Sequence, residues 1–130
     1  SDNVWLRYSA AMTCSEIGTK ATGLAEKVIP LIHDSSVVVR IRAAEFLGLI
    51  NRIDPQPILA DIVNQTSNPV EAGEALNSIV YFQDCHQPAY PIDAALLKPV
   101  TTSDIITRRI DYLNGEPYKS TKRKPKKKKY

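Results

Sequence analysis

Val39, Ala43, Leu47 and Ile50 recur at spacings of four and three, so one side of the segment from residue 36 to 53 is continuously apolar, as in a helix. Ser35 or Ser36 is placed to cap it, and Asp54-Pro55 to end it. Val38, Ile41, Ala44 and Phe46 carry the apolar surface well past a single stripe. A helix of that kind is wedged between several neighbours rather than laid on one. Arg42, Glu45, Leu49 and Arg52 form its one mostly polar stripe.

The same pattern predicts further helices on either side. An opening helix bears Trp5, Leu6, Met12 and Ile17. A second spans 21–33 with Leu24, Val28, Leu31 and Ile32 inward, and Pro30 predicts a kink or stop near Val28 and Ile29. Pro55 and Pro57 start a helix over 55–66, and Val70 to Phe82 forms another, weakened by Gly73. Asp84 to Pro91 reads as the longest loop. A short helix over Ile92 to Lys98 and a last one over Ser103 to Leu113 precede Asn114-Gly115. No stretch alternates at period two for long enough to form a sheet.

These helices repeat. Val4, Arg7 and Ala10-Ala11 return 33 residues later as Val37, Arg40 and Ala43-Ala44. The next unit follows after 31 residues. A helical period in the low thirties marks stacked helix pairs, none of which buries its apolar face alone. The expected fold is all-α, a right-handed α-solenoid of about three helix pairs, in a domain of residues 1–118 followed by a disordered tail over 119–130.

Charge separates those two parts. The formal net charge is +3, but eight Lys and Arg fall within residues 119–130, leaving nine against fourteen acids, a net −5, in residues 1–118. Lys122, Arg123, Lys124, Lys126, Lys127, Lys128 and Lys129 repel one another without an apolar anchor until Tyr130. Such a run is either a solvated tail or a salt-dependent site for phosphate-rich or sulfated polyanions. Nucleic acid is an unlikely partner for the body. Its expected inner surface (Ser9, Met12, Glu16, Arg42, Glu45, Leu49, Arg52, Gly73 and Asn77) is mixed in sign and poor in aromatics.

No apolar run approaches the roughly eighteen residues of a membrane span, and the chain does not open on a secretory signal. The apolar helix that begins at once after Asn3 suggests a piece of a longer protein, with an N-terminal partner domain and any signal peptide upstream. Trp5 and Tyr8 are the candidate contacts toward that domain.

Intrinsic chemistry is not expected. Cys14 reads as a buried thiol and Cys85 as a loop residue. Asp84-Cys85-His86 gathers three ligand types, but adjacent residues rarely converge on one ion, and His33 stands alone. Neither histidine has the neighbours that nucleophilic catalysis requires. The chain is therefore expected to be no enzyme, with no catalytic residue, cofactor or metal of its own.

The stretch Leu31-Ile32-His33-Asp34-Ser35-Ser36-Val37-Val38-Val39-Arg40-Ile41-Arg42-Ala43-Ala44-Glu45-Phe46-Leu47-Gly48 resembles a HEAT repeat. That resemblance implies that the turn Asp and helix Arg of successive repeats stack in a ladder. Asp34 and Arg40 match the pattern, Asp2 and Arg7 approximate it one repeat earlier, and Glu71 replaces the Arg one repeat later. With the Trp5-Leu6-Arg7-Tyr8 opening and Glu74-Ala75-Leu76-Asn77-Ser78-Ile79, the order is similar to the HEAT-like C-terminal extension of bacterial sulfatases. The likeness implies a covalently linked N-terminal domain that hydrolyses sulfate esters with a formylglycine nucleophile and calcium, in a periplasmic or secreted protein. Neither cysteine here sits in the sulfatase nucleophile motif, so this chain would be the non-catalytic packing module. The alternative is a free-standing HEAT-type scaffold that binds protein, with a polyanion-binding tail.

Overall fold

The structure, a computed structural model, describes residues 2–116. The tail expected over 119–130, with its expected disorder, lies outside the described residues. Among the described residues every regular element is helical, and no strand occurs.

Helix α1 spans Val4–Ile17 and starts where Asn3 Oδ1 accepts the amides of Trp5 at 2.9 Å and Leu6 at 3.4 Å. It stops at Gly18, whose φ of 65° an L side chain rarely adopts. The helix expected over 21–33 stops at Val28, where Pro30 predicts a kink or stop, but its first part is also not α-helical: a 3-10 stretch Gly18–Leu24 leads into a single α-turn α2 at Ala25–Val28, and a second 3-10 stretch spans Ile29–His33. Two local causes account for the division. The Thr22 hydroxyl donates to the Thr19 carbonyl at 2.6 Å, competing with the helical ladder, and Pro30 supplies no amide to continue α2. Leu24, expected inside, is 42% exposed, whereas Val28 is buried.

Helix α3 spans Val37–Leu49. Ser36 takes the cap position without a side-chain cap bond; instead the Asp34 carboxylate accepts the Ser36 amide at 2.8 Å. The helix closes earlier than Asp54-Pro55. Asn51 adopts a φ of 57°, and the amides of Arg52 and Ile53 return to the Leu47 carbonyl, the wrapped ending that a left-handed Asn permits. Asp54 serves the next element, accepting the Gln56 amide at the start of α4, Gln56–Gln65.

Helix α5, Pro69–Asp84, is capped by Asn68, which accepts the Val70 and Glu71 amides, while Thr66 donates to Glu71 at 2.6 Å. The helix expected over 92–98 is only a 3-10 turn at Ala94–Leu96. Its backbone is satisfied from outside: the Asn64 amide donates to the Leu96 carbonyl at 2.8 Å and its oxygen accepts the Lys98 amide at 2.6 Å. Helix α6, Asp104–Leu113, starts where Ser103 Oγ accepts the Ile106 amide at 3.2 Å.

Contacts between the longer helices fall at similar offsets, most often 32 residues. Arg42 of α3 meets Glu74 of α5, 32 residues on, and Asn77 of α5 meets Arg109 of α6, again 32 residues on. Gly48 lies against Phe82 further up the α3–α5 pair, and Gly73 against Ile105 lower on the α5–α6 pair. Each series climbs both helices together, so α3, α5 and α6 run in the same direction.

Two apolar clusters fill the interior. Cys14, Ala21, Ala25 and Val28 pack with Ala43, Phe46 and Leu47 of α3. Ile41 and Ala44, also of α3, belong to the larger cluster built by Leu59, Ile62 and Val63 of α4 and by α5, with Ile106 of α6. Buried surface on two sides of α3 accounts for the width of its apolar pattern.

Candidate functional site

Arg52 of the expected polar stripe lies beyond the end of α3, exposed and paired with Glu26 at 2.5 Å; the rest of the stripe, Arg42, Glu45 and Leu49, belongs to α3. These three floor a groove of about 730 Å³ between the upper parts of α1, α3 and α5, lined among others by Glu16, Arg42, Glu45, Glu74, Asn77 and Tyr81. Arg42 is its centre. Its guanidinium pairs with Glu45 at 2.5 Å and with Glu74 at 3.3 Å, and lies 6.0 Å from the centroid of the Tyr8 ring.

The electrostatics of this group are opposed. Burial pushes the Glu45 carboxyl above its usual range, against the pull of Arg42 and a hydrogen bond from Ser78. Burial also works against the charge of Arg42, but Glu45, Tyr8 and Glu74 outweigh it and raise its pKa. One guanidinium thus serves two carboxylates, and Glu16, which also lines the groove, adds a third. The groove keeps an excess of negative charge, suited to holding cations.

The ladder residues are brought together in part. Arg7 donates through Nε to Asp34 Oδ1 at 2.6 Å and through Nη2 to Oδ2 at 3.3 Å, joining α1 to the turn before α3. That bond, outweighing burial and helped by the Ser36 amide, holds the Asp34 carboxyl below the usual range. Arg40 is half-buried, encloses an Nε with no hydrogen-bond partner among the described residues, and reaches Asp34 through its charge. Asp2 is exposed; Asn3 beside it caps α1, and Arg7 turns to Asp34 of the next unit.

The two domain-contact candidates separate. Trp5 is 71% exposed beside Leu6 at 60%, forming an open apolar edge on α1, whereas the half-buried Tyr8 faces Arg42. Lys122, Arg123, Lys124 and Lys126 to Lys129 lie outside the described residues.

His86 has a role its sequence neighbours concealed. It is buried, its ring stacks on Tyr90 and meets Phe82 edge-on, and its Nε2 lies 2.8 Å from Asn51 Oδ1. The Asp84-Cys85-His86 run thus turns its histidine into the interior while Cys85 stays exposed. Among the described residues no group of three or more His, Cys, Asp and Glu is placed to hold a metal. No described helix is long and apolar enough to cross a membrane.

Gln56 was not legible as a key residue. It is fully buried and donates to the carbonyls of Ile79 at 3.0 Å and Tyr90 at 2.8 Å, tying α4 to α5 and to the following loop. Its only sequence signal is a polar residue between two prolines.

No protein family, no curated protein and no solved structure matches this chain. The HEAT-like and sulfatase-like resemblances rest on the residues quoted for them.

Proposed function

We propose that residues 3–114 form a right-handed helical-repeat solenoid of HEAT type and act as a packing and interaction module without chemistry of its own. The observation that carries this is the offset of 32 residues at which Arg42 meets Glu74 and Asn77 meets Arg109, in helices that run the same way. The offset widens to 34 where Gly48 meets Phe82, while the helix directions stay the same. In the third outer position, between α5 and α6, an extended segment replaces a helix, held by Asn64 at offsets of 32 and 34.

The exposed Trp5 and Leu6 edge is the docking face of the module. A neighbouring domain covers it, and the sulfatase resemblance names a sulfate-ester hydrolase as that neighbour. Trp5 is the chain's single tryptophan, so its emission reports docking directly. The coding frame upstream of Ser1 identifies the segment to test. Adding that segment, expressed separately, is expected to shift Trp5 emission to the blue, and Leu6→Ala to weaken the shift. Emission that stays unchanged, with no association of the two pieces, would overturn the docking face. An upstream frame without the sulfatase nucleophile motif would overturn the sulfatase assignment.

A further inference from the structure

The groove opens where several helices end. Its walls include Ser15 and Glu16 of α1, Leu49 of α3 and Tyr81 of α5, all in the last turns of their helices. The end of α6 lies at the same side, because its Tyr112 hydroxyl donates to Asp84 at the close of α5 and its Arg109 to Asn77 on the groove wall. None of these four helices carries a basic residue in its last turn. Helix C-termini are partially negative, so cations are favoured there; the last turns of these helices supply none, and Arg109, just before the last turn of α6, is engaged with Asn77. Arg42 lies deeper and is already shared between Glu45 and Glu74.

The chain itself carries the complement. Glu116, the last described residue, follows α6, and fourteen more residues extend beyond it. Fully stretched they reach about 45 Å, against a helix-to-helix spacing of about 10 Å. They contain eight Lys and Arg and no acid, whereas residues 1–118 carry a net −5. Tethering so close to the groove gives an effective concentration in the millimolar range, enough for weak ion pairs to form within one molecule.

We propose that the lysine-rich segment 119–130 docks into the groove between α1, α3 and α5 of its own chain, pairing its ammonium groups with Glu16 and Glu74. The groove then competes with external polyanions for the same cations, which makes the tail a masked polyanion site. Neither the solenoid nor the sulfatase assignment is needed for this contact.

Zero-length carbodiimide coupling of the full chain, read by peptide mass spectrometry, tests it. The expected products join Lys119 to Lys129 with Glu16 and Glu74 within one chain, and they disappear in about 0.5 M salt, where the screening length falls to a few ångströms. Glu16→Gln and Glu74→Gln, made separately, each remove their own product and leave the other. Because Glu16 is exposed, its variant retains the fold and keeps the test decisive. Full-length heparin affinity is expected to rise in the variant lacking both carboxylates, as the tail is released. Three results would overturn the proposal: no coupling between tail and groove, coupling spread equally over the remote acids Glu26, Asp61 and Asp93, or products found only between two chains.

Discussion

Arg7 in the first helix closes a two-pronged hydrogen bond on Asp34, 27 residues away, and the same carboxylate accepts the amide that opens α3. One side chain therefore fixes both the approach of α1 and the entry of the next inner helix. Both partners are mostly buried, with 17% and 8% of their side chains exposed, so solvent screens the pair only partly.

Asp34→Asn is expected to lower stability by about 1.5 kcal/mol at neutral pH. The Asp34 carboxyl is held below its unfolded value, so its contribution is full above about pH 4, the unfolded pKa of an aspartate. It is lost as pH falls through the folded value. Urea midpoints of the chain and the variant, compared across pH, should differ by a constant amount above that point and converge in stronger acid.

Glu45 should show the opposite slope. Burial raises its folded pKa, so its contribution is greatest below about pH 4.3, the unfolded glutamate value, and declines as pH rises through the folded one. Relative to Glu45→Gln, which does not titrate, the unaltered chain should lose stability over that interval. The same urea series measures it.

Two glycines on neighbouring inner helices should respond in opposite directions. A Cβ on Gly48 would lie 2.7 Å from Pro55 Cγ and 2.8 Å from Phe82 Cζ, so Gly48→Ala forces α3 away from both and costs about 2 kcal/mol. At Gly73 the nearest atom is Ile105 Cγ2 at 3.6 Å, an ordinary contact. Gly73→Ala should stabilise by about 0.5–1 kcal/mol through helix propensity. Thermal unfolding of the two variants provides the comparison.

Gln56→Leu leaves the carbonyls of Ile79 and Tyr90 without their buried donor and should cost about 2 kcal/mol. Amide exchange should rise most in the loop around Tyr90, where the donor's second bond is made.

Much of the helical layout was legible because its signals are local. Asn68-Pro69, Ser103-Asp104 and the apolar spacing of 39–50 each state a start or a face within a few residues. Legibility failed where distant groups decide. Residues 92–98 carry a helical composition, but the Asn64 side chain takes the backbone groups a helix would use. Over 21–33 the signal was local and only half read: the stop set by Pro30 is where α2 ends, whereas the Thr22 bond to Thr19 that keeps the preceding turns 3-10 was not anticipated. The polar stripe Arg42, Glu45 and Leu49 was visible in sequence, yet its enclosure depends on Glu16, Glu74 and Tyr81 from other helices. Nothing local marks His86 as an interior residue either; Asn51, Phe82 and Tyr90 make it one.

The most direct test of parallel stacking at offsets of 32 to 34 residues is a nuclear Overhauser measurement on methyl- and aromatic-labelled protein. Cross-peaks from the Phe82 ring to the Gly48 α-protons, and from the Ile105 γ2-methyl to those of Gly73, are the predicted result. Cross-peaks that pair Gly73 with the Leu113 end of α6 instead would show antiparallel helices and contradict the account.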